Sequence, residues 1–148
     1  MQVQPYLFFD GRCEEALNFY SAALGAKVTA LMRFKDAPPS ASAPGCTPPS
    51  GDQIMHANLQ IGPVQIMASD GMVPGEGAFK GFALSLAPAT DAEAACLFQA
   101  LAEGGQVQMP LGPTFFASSF AMLTDRFGVP WMIVVALPEP APARPPSA

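Results

Sequence analysis

His56 is the only histidine in this chain of 148 residues, and it stands in the stretch IMHANLQIG, Ile54 to Gly62. Imidazole is the side chain best suited to bind a metal or pass a proton near neutral pH. Strand alternation puts Ile54, His56, Asn58 and Gln60 on one face, with Met55, Ala57, Leu59 and Ile61 on the other. The polar set is then either a solvent face or the floor of a cavity. If a helix covers the apolar set, His56 points inward. Three roles stay open for it: contact with a ligand on a cavity wall beside Asn58 and Gln60, a structural hydrogen bond, or general-base chemistry.

Other side chains could do chemistry, and each has an ordinary reading. Trp131 and the pair Phe115–Phe116 belong first to a core, although an aromatic at a cavity wall could stack on a flat ligand, so Trp131 and Phe116 join the candidates. Asp125, Arg126 and Gly128 read as a tight turn into the next strand. Cys13 stands at the first turn of a helix, where the helix dipole favours thiolate, but no histidine is near it in sequence. Cys96 lies on the apolar side of a second helix and reads as core. Arg12, Arg33 and Lys35 could give a pocket one positive group, with a solvated surface the plainer reading. Ser118 and Ser119 lack the Gly-x-Ser-x-Gly context of a nucleophile elbow.

Composition narrows the classes. The net charge is −5 with no cluster of Lys and Arg, which argues against nucleic acid and anionic membrane surfaces. No apolar run reaches the ~18–20 residues of a membrane span. The opening MQVQPYLFFD has no basic region and no small-residue cleavage site, so a cytoplasmic protein is expected. Three scattered cysteines, Cys13, Cys46 and Cys96, give neither a disulfide framework nor a zinc spacing.

The elements that must position these residues come in two similar blocks, about 2–70 and 79–136, of a single domain spanning 1–136. Each opens with a short apolar strand, PYLFF (5–9) or FALSL (82–86), and continues with a helix. In CEEALNFYSAALG the apolar residues recur at helical spacing and Gly25 is placed to stop the helix; in TDAEAACLFQALAEGG, Thr90 and Glu93 form a capping-box pattern. Three strand candidates follow in each block: AKVTALMRF, QIMHANLQI and VQIMAS, then GQVQM, FFASSFAML and PWMIVVA. The order β-α-β-β-β, twice over, predicts an α+β protein from an internal duplication. Its two curved mixed sheets would each carry a helix outside and leave a concave cavity for a ligand. Ten of the 17 prolines fall in 37–51 and 137–148, expected to be a mobile loop over the mouth of the first module's cavity and a disordered tail.

The motifs YLFFDG with EEALNFY, HANLQIG with IMASD, and DRFGVPWM resemble the vicinal-oxygen-chelate superfamily, and within it the PhnB-like branch sometimes labelled a demethylubiquinone methyltransferase-like domain. The superfamily includes glyoxalase I, extradiol dioxygenases, fosfomycin-resistance enzymes and bleomycin-resistance proteins. The resemblance covers residues 4–136 and implies the glyoxalase-like fold. The methyltransferase label gains no support, because no Gly-rich strand–turn–helix opening could hold a nucleoside cofactor.

The superfamily's metalloenzymes hold a divalent ion with His, Glu or Gln on the first and last strand of each module. Those positions fall here at Pro5 (Gln4 with a slip of one), Met67, Phe82 (or Gly81) and Met132. Only Gln4 could serve as a ligand to such an ion. Independently of any alignment, all 12 carboxylates lie in turns, loops, helix starts or the tail, and none lies inside a predicted strand. No metal and no cofactor is expected.

Two readings follow. One is a metal-free protein that binds a small organic molecule on the curved sheets, as bleomycin-resistance relatives do. The other is a metal-independent isomerase, lyase or transferase using His56 as acid/base, and neither a glyoxalase I nor a methyltransferase. The residues favour the first, because His56 shows no catalytic partner. The resemblance also implies a homodimer whose modules complete the cavities, covering strand edges that would otherwise be exposed.

Overall fold

Each half of the chain builds one sheet and lays one helix across it. The computed structural model describes residues 1–37, 50–71, 78–138 and 146. The first module runs β1 (Tyr6–Phe8), α1 (Cys13–Leu24), β2 (Lys27–Arg33), a short 3-10 turn (Phe34–Asp36), β3 (Ile54–Ile61) and β4 (Val64–Ser69). The second runs β5 (Leu84–Leu86), α2 (Asp91–Ala102), β6 (Gln106–Gly112), β7 (Ala117–Thr124) and β8 (Pro130–Ala136). The sheet orders are β1-β4-β3-β2 and β5-β8-β7-β6, with the first pair of each parallel and the rest antiparallel.

Local chemistry sets the boundaries. PYLFF and FALSL shorten to three paired residues each, and Pro5 contributes only its carbonyl, which accepts from Met67 N at 3.0 Å. GQVQM instead lengthens through Pro110 to Gly112, because β6 is an edge strand and an edge tolerates a missing N–H. Gly25, at φ 65°, ends α1 as expected. The Thr90 hydroxyl caps α2 by accepting from Glu93 N at 3.1 Å, and Glu93 Oε2 accepts from Ala89 N at 3.1 Å.

The repeat extends to irregularities. β2 carries an extra residue at Thr29 and β6 carries one at Gln108, the same place in each module. Open-face residues then align in matching rows: Tyr6–Met67–Asn58–Ala30 in the first sheet and Ser85–Met132–Met122–Met109 in the second. A further bulge corrects the alternation expected along β3. Arg33 pairs with Ile54 and Met32 with His56, so Met55 is the extra residue. Ile54 thereby leaves the face of His56 and is fully buried in the core.

Each helix covers one face of its own sheet. Leu7, Ala57, Leu59 and Ala68 are buried with Ala16, Leu17 and Tyr20 of α1, while Ala121, Leu123 and Ile133 are buried with Ala94 and Leu101 of α2. All belong to one apolar cluster that runs through both modules. A fully buried Leu or Ile contributes about 1.5–3 kcal/mol, so this cluster is the main force holding the modules together.

Most of the two proline-rich segments, 38–49 and 139–148 apart from Pro146, lies outside the described residues. The ends of the first are joined where Lys35 N donates to Gly51 O at 3.0 Å. Among the described residues no helix is long and apolar enough to cross a membrane.

Candidate functional site

On β3, His56, Asn58 and Gln60 face away from α1, since Ala57 and Leu59 take the helix side. Asn58 Oδ1 lies 2.9 Å from His56 Nε2. An amide oxygen can only accept, so Nε2 carries the hydrogen and the neutral ring's Nδ1 is an acceptor. The Tyr6 hydroxyl, 3.1 Å from Nδ1, is therefore the donor. Tyr6 stands on β1 and His56 on β3, so the phenol reaches across β4 to make this bond. The resulting chain, Tyr6 to His56 to Asn58, is half-buried on an open face. Gln60 takes no part, because its amide donates to Gly62 O at 2.8 Å and fixes the β3–β4 turn.

Apolar and sulfur-bearing groups surround this polar strip. The Phe8 ring sits 4.8 Å from Tyr6 and is 52% exposed, and Met32 is the direct cross-strand neighbour of His56. On the second sheet Met109, Met122 and Met132 form one row, and Phe120 and Phe116 stack edge to face at 5.1 Å. Phe116 thus flanks the second sheet's open face, on a different module from His56.

Met67 and Met132 hold equivalent places, each in the strand next to its module's first strand. The residue opposite Met67 is Tyr6, with Gln4 and Pro5 lying ahead of β1, and the residue opposite Met132 is Ser85, with Gly81 and Phe82 lying ahead of β5. Two thioethers, a phenol and an aliphatic hydroxyl occupy these four positions, two on each sheet. Among the described residues no group of three or more His, Cys, Asp and Glu gathers to hold a metal ion.

Trp131 is placed differently from the other candidates. It lies on the helix side of β8, 2% exposed, with its indole N–H donating to Asp125 Oδ2 at 2.8 Å. Asp125 is more than a turn residue: it also accepts from Tyr20 Oη at 2.5 Å and from the backbone of Phe127 and Val129. This buried carboxylate ties α1 of one module to β8 of the other. Burial, and then the Asp125 charge, raises the Tyr20 phenol well above its ordinary range.

Several lesser candidates find structural partners. The Cys13 thiol is pushed up to about 12, by burial first and then by the charges of Asp70 and Glu14. The helix dipole does not prevail there, because the Asp70 carboxylate already caps that end of α1, accepting from Cys13 N at 2.8 Å. Cys96 is exposed rather than core. Arg12 lies over the Phe127 ring at 4.6 Å, Arg33 forks onto Glu14 at 2.8 and 2.9 Å, and Lys35 pairs with Asp52 at 3.1 Å. Arg126 lies over the Phe19 ring at 4.4 Å. Ser118 and Ser119 both donate to Asp91, whose acidity they strengthen.

A groove of about 490 Å³ runs between the modules, bounded by the β3–β4 turn at Pro63, the β5 segment Leu84–Pro88, and Leu97 of α2. Trp131 lines it; His56 and Asn58 do not. Its side-chain polar groups are Ser85, Glu93 and the Trp131 indole, of which Glu93 is engaged in capping α2 and the indole in its bond to Asp125. It has volume but little polar recognition, whereas the open face has polar recognition without enclosure within one chain.

The family described as the Glyoxalase/Bleomycin resistance protein/Dioxygenase superfamily matches residues 2–133. Protein YjdN of Escherichia coli (strain K12) is 40% identical over 147 residues, covering 95% of this chain and 99% of the relative. The crystal structure of protein PA1353 from Pseudomonas aeruginosa is 47% identical, with a TM-score of 0.79 over 92% of this chain and 98% of that one. A PhnB protein from Bacillus cereus, which also bears the name 3-demethylubiquinone-9 3-methyltransferase, is 26% identical, with a TM-score of 0.77 over 92% and 100% of the two chains.

Proposed function

Because the chain belongs to the Glyoxalase/Bleomycin resistance protein/Dioxygenase superfamily, we propose that it holds a small organic molecule against the open face of its sheets, without a metal or cofactor. The hydrogen-bonded chain Tyr6–His56–Asn58 carries this reading: it is a short polar strip on a face otherwise rich in Met and Phe. A few convergent polar groups amid apolar ones are what a small-molecule site requires. Methionine adds flexible, polarizable contact that adapts to ligand shape.

The donor set argues against divalent chemistry at the positions that pair the first and last strand of each module. Thioethers and un-ionised hydroxyls are poor ligands for Zn²⁺, Ni²⁺, Mn²⁺ or Fe²⁺, which take imidazole, carboxylate or thiolate donors. Glyoxalase I chemistry, which depends on a bound metal stabilising an enediolate, is not proposed. Enclosure of the strip falls to a second copy of the chain. Edge strands β2 and β6 expose Val28, Leu31, Met32, Val107 and Met109, and such edges invite pairing.

Ligand capture tests the reading. Wild-type and His56→Ala protein are exposed to the same clarified cell extract, and retained small molecules are released and identified by mass spectrometry, with elemental analysis alongside. A small organic molecule retained by wild type and lost from the variant, with metal at background in both, is expected. Stoichiometric divalent metal in the wild type, lost in the variant, would overturn the proposal.

A further inference from the structure

We infer that Tyr6 is a catalytic residue, exchanging a proton with a bound carbonyl compound while His56 stores the proton and Asn58 holds the ring. This rests on the open face being the ligand site, and it adds an activity to it. Two observations carry it. The Tyr6 hydroxyl donates to His56 Nδ1 at 3.1 Å, so its own hydrogen already points at a base. The opposite ring nitrogen is fixed by Asn58 Oδ1 at 2.9 Å, which sets the tautomer and would equally accept from an imidazolium. A reactive hydroxyl, a base within reach, and a third group orienting the base make the general arrangement of an activated side chain.

The outward groups define the substrate class. With its hydrogen turned to His56, the Tyr6 oxygen offers lone pairs to the open face, while Asn58 lies on the far side of the imidazole, bonded to the opposite ring nitrogen. A carbonyl compound with an acidic C–H next to the carbonyl fits this group, its C–H toward the Tyr6 oxygen. The exposed Phe8 ring, 4.8 Å from that of Tyr6, offers a flat wall to an aryl group. In the step, the substrate C–H bond breaks and its proton joins the Tyr6 oxygen as the original phenol proton moves to His56 Nδ1. The electron pair remains on the substrate as an enolate. The imidazolium balances its charge, and reversal returns a proton to carbon, so no oxidant, reductant or metal is consumed.

The probe is 2-tetralone, a neutral aryl ketone, incubated with the full chain in D₂O. Proton NMR follows deuterium entering its benzylic methylene, and saturation-transfer NMR reports binding in the same tube. Wild type is expected to exchange the probe about a hundredfold faster than Tyr6→Phe. His56→Gln should lose the exchange as well, and Tyr6→Phe should still bind the probe. Exchange by wild type no faster than by Tyr6→Phe overturns the relay. If the probe binds without exchange, the binding reading survives alone; if it neither binds nor exchanges, the open-face site falls with the relay.

Discussion

Tyr20 and Asp125, 105 positions apart in sequence, meet between the modules with the phenol hydroxyl 2.5 Å from the carboxylate. The same carboxylate takes the indole N–H of Trp131 and two backbone N–H groups, and it is 3% exposed. A buried charge with four donors is stable only while its donors remain. Tyr20→Phe removes one and should cost about 2 kcal/mol, the range for a hydrogen bond to a charged group. Asp125→Ala should cost more, since it strands Tyr20 and Trp131 together. Urea unfolding followed by Trp131 fluorescence measures both, and a Tyr20→Phe midpoint equal to that of wild type would contradict the role.

Stability should fall on the alkaline side. The Cys13 thiol ionises at its ordinary 9.0 when unfolded and near 12 when folded, and the Tyr20 phenol is shifted in the same upward direction. Folded pKa values above the unfolded ones mean that the native state binds more protons across that window. The stabilisation is therefore complete below pH 9.0 and is lost as pH rises toward the folded values. Each pKa unit corresponds to about 1.4 kcal/mol. Unfolding free energies measured across this range should decline steeply in wild type and less steeply in Cys13→Ala.

Thiol reactivity should separate the two described cysteines. Cys13 is fully buried and its thiolate is disfavoured, whereas Cys96 is exposed. In a Cys46→Ser background, an aromatic disulfide reagent in mildly alkaline buffer should modify one thiol quickly, mapping to Cys96. The second should react only on unfolding. Rapid modification of Cys13 in the native protein would show that the α1 terminus opens.

The modules should pair between copies. Sedimentation at micromolar concentration should give a species of twice the 15.4 kDa chain mass. Charged substitutions at Met32 and Met109, both 40–45% exposed on edge strands, should shift it toward monomer. A 15.4 kDa species alone would count against an assembled cavity.

The fold was legible because its signals are local and occur twice. Helical spacing, the Gly25 stop and the Thr90 cap marked both helices, and VQIMAS and PWMIVVA matched β4 and β8 residue for residue. What escaped depends on distant residues meeting. The bulge at Met55 turned Ile54 into the core, and nothing in IMHANLQIG announces it. PYLFF reads as a plain apolar strand, although Tyr6 and Phe8 alternate against buried Leu7 and Phe9. Its partnership with His56 needs the parallel pairing of β1 and β4, which no neighbour in sequence reveals. Asp125 reads in sequence as a turn residue because its partner Tyr20 lies in the other module.

Where a small molecule binds is the most direct question to put to this account. Nitrogen-edited NMR of the uniformly labelled protein, titrated with a library of flat, neutral fragments, answers it by following the His56 ring and the backbone amides together. Binding fragments should move the signals of Tyr6, His56, Asn58 and Met67 on the open face, and His56→Ala should abolish those shifts. Fragments that move Val64, Leu86 and Leu97 of the groove between the modules, and leave the His56 ring unchanged, would contradict it.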